Sequence, residues 1–382
     1  MDTKLFICDE VLIERDICNL EKEKKALSQA LRLCEKVLVY GRRNFGKTSV
    51  VKNVAAAGWL SENTGGFFLY ADLYGVKEMD QLIARLSAAF TEAFKRAFPV
   101  RAIFAEMIDM VKSLRPKTSV SPDGSVELSF DAARAGGPKF LADVFMQLAK
   151  LRENDIKVLV VLDEFQEVHR IKEAEGLLRD CLQNLRQIPV ILMGSKKHML
   201  SKIFMTPSAP FFNWGTHLEF GNIPYDEFTD YMNERFGAIG RSIGVGESTE
   251  LQDLMCRVPE AINRVCGRIM KNEGEGAISS EEIRESIHLL IDERRSSAEE
   301  YLSMMSPTEE RVLTLFAGQK SVAQPTSKRY AAALGVTPQS IRKIVGKLED
   351  EAVLYRQSDG CYTFADPLIR LHLLAFRPKI EL

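Results

Sequence analysis

At 382 residues the chain is long enough for two or three domains, each burying its own core. Hydrophobic content of 46% and charged content of 27% are ordinary globular values, and a net charge of −2 excludes a chain-wide polyanion-binding surface. Seven scattered cysteines, odd in number and without a CxxC pair, predict buried free thiols in a reducing compartment rather than a disulfide framework.

The opening Met1-Asp2-Thr3-Lys4 lacks the basic-then-apolar layout of a signal peptide, and no apolar run reaches about 18 residues. A cytoplasmic protein without a membrane partner is therefore expected. Residues 14–33 have helical spacing, with Ile17, Leu20, Leu27 and Leu31 on one face. The apolar run Val37-Leu38-Val39-Tyr40 then reads as a buried strand.

Residues 41–49, Gly41-Arg42-Arg43-Asn44-Phe45-Gly46-Lys47-Thr48-Ser49, follow directly and fit GxxxxGK[ST]. A helix-compatible stretch, Ser49 to Ala57, comes next, and Gly58 is expected to end it. Strand, glycine turn and helix N-terminus form the context in which this pattern binds phosphate. Gly41 and Gly46 permit backbone conformations that a Cβ would block, so the amides from Asn44 and Phe45 to Thr48 can converge on one anion. Lys47 supplies a compact charge for the β- and γ-phosphates, and the Thr48 hydroxyl is placed to ligate Mg²⁺. A nucleoside triphosphate is the expected ligand, held by Gly41, Arg43, Asn44, Phe45, Gly46, Lys47, Thr48 and Ser49.

Residues 67–73 read as another buried strand, and 77–97 and 101–114 as helices. Val120 to Leu128 suggests a hairpin around Pro122-Asp123-Gly124. Gly136-Gly137-Pro138 opens a helix running to about Leu151. Val158-Leu159-Val160-Val161-Leu162 is apolar throughout, as in a parallel sheet covered on both faces, and ends in Asp163-Glu164. Carboxylates at that end sit where ligands bind in open α/β sheets. Asp163, 116 residues after Lys47, is the candidate for holding Mg²⁺ through water, and Glu164 the candidate general base for the attacking water. Such a pair favours hydrolysis over storage of the nucleotide.

A helix over 172–186 leads to the strand Pro189–Met193, which ends in Gly194-Ser195. In additional-strand P-loop ATPases the strand beside the acid-bearing one carries a polar residue near the γ-phosphate. Ser195 fits that place, and equally fits a plain turn serine. Leu218-Glu219-Phe220 supplies a fifth, shorter strand, closing a parallel, doubly wound α/β core at about residue 222.

From Tyr225 to about Ser303 only helical patterns remain (226–237, 247–256, 260–272 and 281–304), with Ser279 and Glu282 as a capping box. This segment reads either as a lid over nucleotide or as a generic helical bundle. Beyond it, Ser306-Pro307-Thr308-Glu309 starts a helix; Ser327–Leu334, the turn Gly335-Val336, a helix from Thr337-Pro338 and two short strands (353–356, 361–364) follow. Helix, helix, turn, helix, hairpin is the layout of a winged helix-turn-helix. Lys328, Arg329, Arg342, Lys343 and Lys347 lie there with no acid between Thr326 and Lys347, a local footprint for double-stranded DNA. Gln339, Ser340 and Arg342 could face base edges or phosphates. Glu349-Asp350-Glu351 and a wing whose single cation is Arg356 equally suit a protein-binding or oligomer module. The expected division is an α/β core (1–222), a helical lid (223–304) and a winged helix (305–382).

Taken together, the chain resembles the archaeal-type ATPase family of the AAA+/STAND P-loop NTPases over nearly its whole length. The resemblance rests on Arg15-Asp16-Ile17, the loop ending Gly46-Lys47-Thr48-Ser49, the strand containing Leu73, the Pro-Asp-Gly insertion, Leu162-Asp163-Glu164-Phe165-Gln166-Glu167, Gly194-Ser195 and Asp366-Pro367-Leu368. It implies ATP and ADP as ligands with Mg²⁺, a P-loop NTPase parallel sheet of the additional-strand, AAA+-like type, a helical lid and a C-terminal winged helix. Two functions are compatible with it: an ATPase switch acting on DNA or a partner, or a signalling or defence scaffold that assembles on ATP with little turnover and no DNA binding. The chain departs from the family at three places. Arg42 stands where a proline is usual, Trp214 where an arginine would reach a γ-phosphate, and Arg257-Val258-Pro259 replaces Gly-x-Pro, so Arg257 is a candidate lid contact. These departures bear on the rate of hydrolysis more than on binding.

Overall fold

The computed structural model describes residues 5–99, 114, 116–120, 126–130, 137–272 and 274–381. They form two compact units, one made of Glu21–Gly41 and Lys47–Phe220, the other of Met1–Leu20, Arg42–Gly46 and Gly221–Leu382.

In the first unit the strands are β1 (Lys36–Gly41), β2 (Phe67–Asp72), the hairpin β3 (Pro116–Val120) and β4 (Val126–Phe130), then β5 (Val158–Asp163), β6 (Val190–Gly194) and β7 (Thr216–Phe220). Five of them make one parallel sheet in the order β2-β5-β6-β1-β7. Every residue of β5 and β6 is buried, as the unbroken apolar runs demand of strands covered on both faces. Helix Met79–Ala97 packs Phe90 and Phe94 against Phe67 and Phe98, with ring centroids 5.2 Å apart for Phe67–Phe90 and 4.9 Å for Phe94–Phe98. Parallel register brings Asp72 level with Asp163, and Tyr40 level with Gly194. The carboxyl ends of β1, β5 and β6 therefore lie along one edge of the sheet, with β6 between the loop-bearing and acid-bearing strands.

The sequence expectations change at several points. The helix after the phosphate loop does not stop at Gly58: Lys47–Ser49 opens it, Val50–Ala56 widens into π-type turns, and Ala57–Glu62 continues it. An added Cβ at Gly58 would meet nothing within 4 Å, so this glycine sits in an exposed helix interior and ends nothing. The helix expected over 14–33 is two pieces. A 3₁₀ turn, Glu14–Asp16, precedes Asn19 and Leu20 with φ of 48° and 64°, and the helix begins only at Glu21. The helix expected over 101–114 lies outside the described residues except at Leu114, as does the Pro122-Asp123-Gly124 turn; the hairpin's strands pair antiparallel from Pro116↔Phe130 to Val120↔Val126.

The second unit explains that break. Phe6 stacks 4.8 Å from Phe236, and Arg235 donates to the carbonyls of Leu5 (3.0 Å) and Arg15 (2.8 Å). Tyr231 donates to the Asp16 carbonyl at 3.2 Å. The N-terminal segment is thus docked on helix Tyr225–Gly237. Further helices are Val245–Leu254, Pro259–Ile269, Ser280–Glu293 and Arg295–Ser303, the last two separated at Arg294 where a single helix was expected. Two short parallel strands that the helical patterns concealed, β8 (Arg241–Ile243) and β9 (Gly276–Ile278), pair here. Ser279 caps its helix through the Glu282 amide, while the Glu282 carboxylate is taken by Arg241 in a two-pronged contact of 2.7 and 2.6 Å.

Helices Pro307–Ala317, Lys328–Leu334 and Pro338–Asp350, strands β10 (Leu354–Arg356) and β11 (Tyr362–Phe364) and helix Pro367–Phe376 complete the unit. They follow the order expected of a winged helix-turn-helix and share a core of Val312, Phe316, Leu334, Ile341, Val345 and Phe364. Ser306 and Glu309 form the full capping box, and Gly335 (φ 66°) closes the second helix in the left-handed conformation. None of the seven cysteines forms a disulfide, and Cys18, Cys181 and Cys266 are buried. Among the described residues no helix is long and apolar enough to cross a membrane.

Gly58 yields a direct test. Gly58→Ala should stabilise the α/β unit by about 1 kcal/mol, raising its thermal midpoint by about 2–4 °C. A midpoint unchanged or lowered in calorimetry would mean that the helix does not run through this position.

Candidate functional site

β1 ends at Gly41 because only glycine fits beside β7: a Cβ there would lie 2.6 Å from the Phe220 carbonyl oxygen. The loop returns through Asn44 (φ 63°) and Gly46 (φ 77°), both left-handed, a conformation that asparagine and glycine adopt most readily. Lys47 follows at the head of the helix, 7% exposed, and its Nζ donates to the Gly41 carbonyl at 3.0 Å. An ammonium buried this deeply needs oxygen acceptors, and one from its own loop holds it beside the glycine turn.

Thr48 Oγ1 donates to Asp163 Oδ2 at 3.0 Å, joining the phosphate loop to the acid-bearing strand. The same oxygen accepts from the Tyr70 hydroxyl at 2.7 Å, and Oδ1 accepts from the Glu164 amide at 2.9 Å. Burial pushes the Asp163 carboxyl above its usual range, with the Tyr70 bond opposing and the neighbouring Glu164 charge adding to the rise. Burial and the Asp163 charge likewise hold Tyr70 protonated, so the phenol acts as a permanent donor. Lys52 Nζ lies 4.3 Å from the centre of the Tyr70 ring and steadies it from the helix side.

Glu164 leaves the strand in the left-handed region (φ 51°, ψ 41°) and begins the 3₁₀ helix Phe165–Arg170. Its carboxylate accepts from Ser195 Oγ at 3.0 and 3.3 Å and from Gln166 Nε2. Ser195, 5% exposed, is placed by β6, and the next residue, Lys196, pairs with the buried Glu167 at 3.2 Å. Thus Lys47, Thr48, Asp163, Glu164 and Ser195 stand at the carboxyl edge of one sheet. A hydroxyl and a carboxylate side by side are hard oxygen donors, the type Mg²⁺ takes when phosphate and water complete its shell.

Other expected residues divide. Arg43 and Asn44 are exposed, while Phe45 is 3% exposed beneath the Arg42 guanidinium, 5.0 Å from its ring centre. Trp214 is 5% exposed and packs 5.8 Å from Phe211 and 6.2 Å from Phe204 in the aromatic core. Arg257 donates to the Ile223 carbonyl and lies 4.0 Å from the centre of the Tyr225 ring. Lys328, Arg329, Gln339, Ser340, Arg342, Lys343 and Lys347 are all exposed, but Lys347 pairs with Glu309 at 2.7 Å. That acid comes from helix Pro307–Ala317, outside the stretch in which the sequence has none.

Three residues to which the sequence reading gave no role belong here. Tyr70 and Gln166 hold the two acids. Arg42, 4% exposed, donates to the carbonyls of Cys256 (2.8 Å) and Phe364 (2.7 Å) and lies 5.5 Å from the Tyr355 ring centre. Burial lowers its guanidinium to about 10, which leaves it charged at neutral pH. Its one sequence signal is the departure from proline after the first loop glycine.

Tyr70→Phe removes a donor from a buried carboxylate. Unfolding in urea should show a loss of about 1–3 kcal/mol for the α/β unit. A loss below about 0.5 kcal/mol, the range of neutral surface changes, would mean that Asp163 does not depend on this bond.

No family model and no curated protein matches the sequence. Solved structures do. The Walker-type ATPase PABY2304 of Pyrococcus abyssi is similar at 17% identity and a TM-score of 0.67, covering 97% of this chain and 99% of its own. The ORC2 protein of Aeropyrum pernix, solved in ADPNP–ADP complexes, is similar at 14% identity and a TM-score of 0.51, with 98% of each chain covered. The ORC1 protein of Aeropyrum pernix, solved in complex with DNA, gives 14%, 0.50 and 98% of each chain. With the strand order and the loop-and-acid edge already described, these likenesses show that the chain shares the fold of these solved proteins.

Proposed function

We propose that this protein is a molecular switch that binds Mg-ATP, hydrolyses it slowly to ADP and phosphate, and couples the bound nucleotide to a C-terminal winged helix. The parts are a core (1–222), a lid (223–304) and the winged helix (305–382). One observation carries the coupling. Gly41 and Lys47 belong to the acid-bearing unit, yet Arg42, in the same unbroken loop, is fastened to the carbonyls of Cys256 and of Phe364 in β11. A loop that must close on phosphate cannot change shape without straining those bonds.

In this reading Lys47 turns from the Gly41 carbonyl toward the β- and γ-phosphate oxygens. Thr48 and Asp163 fit Mg²⁺, which when bound neutralises charge on the phosphates. Glu164 accepts the proton of the attacking water, and Ser195 holds the carboxylate and marks the γ-phosphate. The three similar structures support nucleotide as the ligand through the Walker-type ATPase and the ADPNP–ADP complexes, and DNA as the partner through the ORC1 complex. A second reading, a scaffold that assembles into homo-oligomers or on a partner protein without DNA, draws on Lys347, whose charge is engaged by Glu309 rather than offered to phosphate.

Calorimetry should find no ATP binding in Lys47→Ala, whereas Glu164→Gln should bind ATP normally and lose roughly 10²–10⁴-fold in turnover. Unchanged ATP affinity in the first variant refutes the loop, and turnover within a few-fold of wild type in the second refutes the base.

For the winged helix, replacing Arg342 and Lys343 together with Ala should weaken duplex binding uniformly across sequences. The slope of log affinity against log salt should fall by about two, one unit per lost phosphate contact. If the wild-type chain has no salt-dependent affinity for duplex DNA even with ATP and Mg²⁺, the scaffold reading replaces the DNA-binding one.

A further inference from the structure

The run after β5, Glu164-Phe165-Gln166-Glu167, turns each side chain to a different anchor. Phe165 is fully buried against Phe204 and Phe211, with ring centres 5.9 and 5.2 Å away. Glu167 is held by Lys196, beside Ser195. Gln166, with no exposed surface, curls back so that its Nε2 donates to Glu164 Oε2. The other end of that amide, Oε1, is buried without a hydrogen-bond partner among the described residues. It lies against Gly194, where any Cβ would collide with it and would also stand 2.9 Å from Leu200 Cδ1.

A buried amide with only one end satisfied is a poor structural filler, since a thioether of the same length would fit without an orphaned oxygen. The satisfied end points at the one carboxylate assigned to catalysis. The left-handed backbone of Glu164 turns its side chain off the strand, and hydrogen bonds then hold the carboxylate in its final direction. Two donors from two elements do so: Ser195 from the tip of β6, and Gln166 from the 3₁₀ turn. Together they restrict the Glu164 carboxylate, leaving little freedom to swing away from an attacking water.

We infer that Gln166 is the positioning residue of the general base, and that Gly194 is glycine so that the Gln166 amide can reach it. This rests on Glu164 being the base. Gln166 acts through Glu164 and is not itself catalytic.

The test uses the full chain, Mg-ATP, single-turnover hydrolysis and calorimetric ATP affinity. Gln166→Met keeps the length of the side chain and removes the donor; Gly194→Ala displaces the amide without altering it. Each should lower the hydrolysis rate about ten- to hundredfold, the scale of a misplaced catalytic group, with ATP affinity unchanged to within about twofold. On a Glu164→Gln background, Gln166→Met should cause no further loss, because its target is already gone. Rates within about twofold of wild type in both single variants would overturn the inference, as would a full additional loss on the Glu164→Gln background. A wild-type chain that binds ATP without turning it over would overturn the general-base reading itself, which separates the two failures.

Discussion

A single buried carboxylate organises the chemistry of the α/β unit. Asp163 lies at the end of a strand with no exposed residue, and ionised carboxylates are costly to bury unless every oxygen is satisfied. Its three donors come from different places: Thr48 at the head of the loop helix, Tyr70 on β2, and the amide of Glu164. Satisfying the charge therefore fixes the distance from the phosphate loop to the acids across the intervening β6. The Glu164 amide can serve only because its residue turns left-handed, and that same turn lifts the Glu164 side chain off the strand toward Ser195. Solvating the first acid thus places the second.

Arg42 presents the opposite electrostatic case. It is a buried cation that donates to two carbonyl oxygens and lies over two aromatic faces. Carbonyl dipoles stabilise a guanidinium less than an ion pair does, which agrees with the lowering of its pKa by burial. Such a contact is easier to break than a buried salt bridge, whose separation leaves a bare charge on each side.

Much of the fold was legible in the sequence. Strands β1, β2, β5 and β6 are covered on both faces and so appear as unbroken apolar runs, a pattern no exposed element imitates. The loop, the acids and Ser195 were legible as strand-end residues, and the structure brings them to one edge of the sheet. What escaped was tertiary. Ile17 and Leu20 fit the helical face of Leu27 and Leu31, yet the segment before Glu21 is claimed by Tyr231 and Arg235, more than 200 positions away in the chain. β8 and β9, three residues each, are too short to alter a helical pattern. Gly58 looked like a stop because glycine disfavours helices, but propensity is a weak prior where the opposite helix face is buried through Ala55, Ala56 and Trp59.

The residues whose roles escaped the sequence reading, Tyr70, Gln166 and Arg42, share a reason. Each acts by reaching a partner whose place is decided by packing: Tyr70 through strand register, Gln166 through a 3₁₀ turn, Arg42 through the C-terminal hairpin. Motifs record the atoms that must meet a ligand, since those are bound by common geometry. The groups that orient those atoms need only supply a donor from some direction, and many sequences can do so. In this chain Lys47, Thr48, Asp163 and Glu164 follow the general pattern, whereas the groups that orient them lie outside it. The departure at Arg42 is therefore informative, because a loop position with no prescribed polar role carries a buried guanidinium that donates to the carbonyls of Cys256 and Phe364.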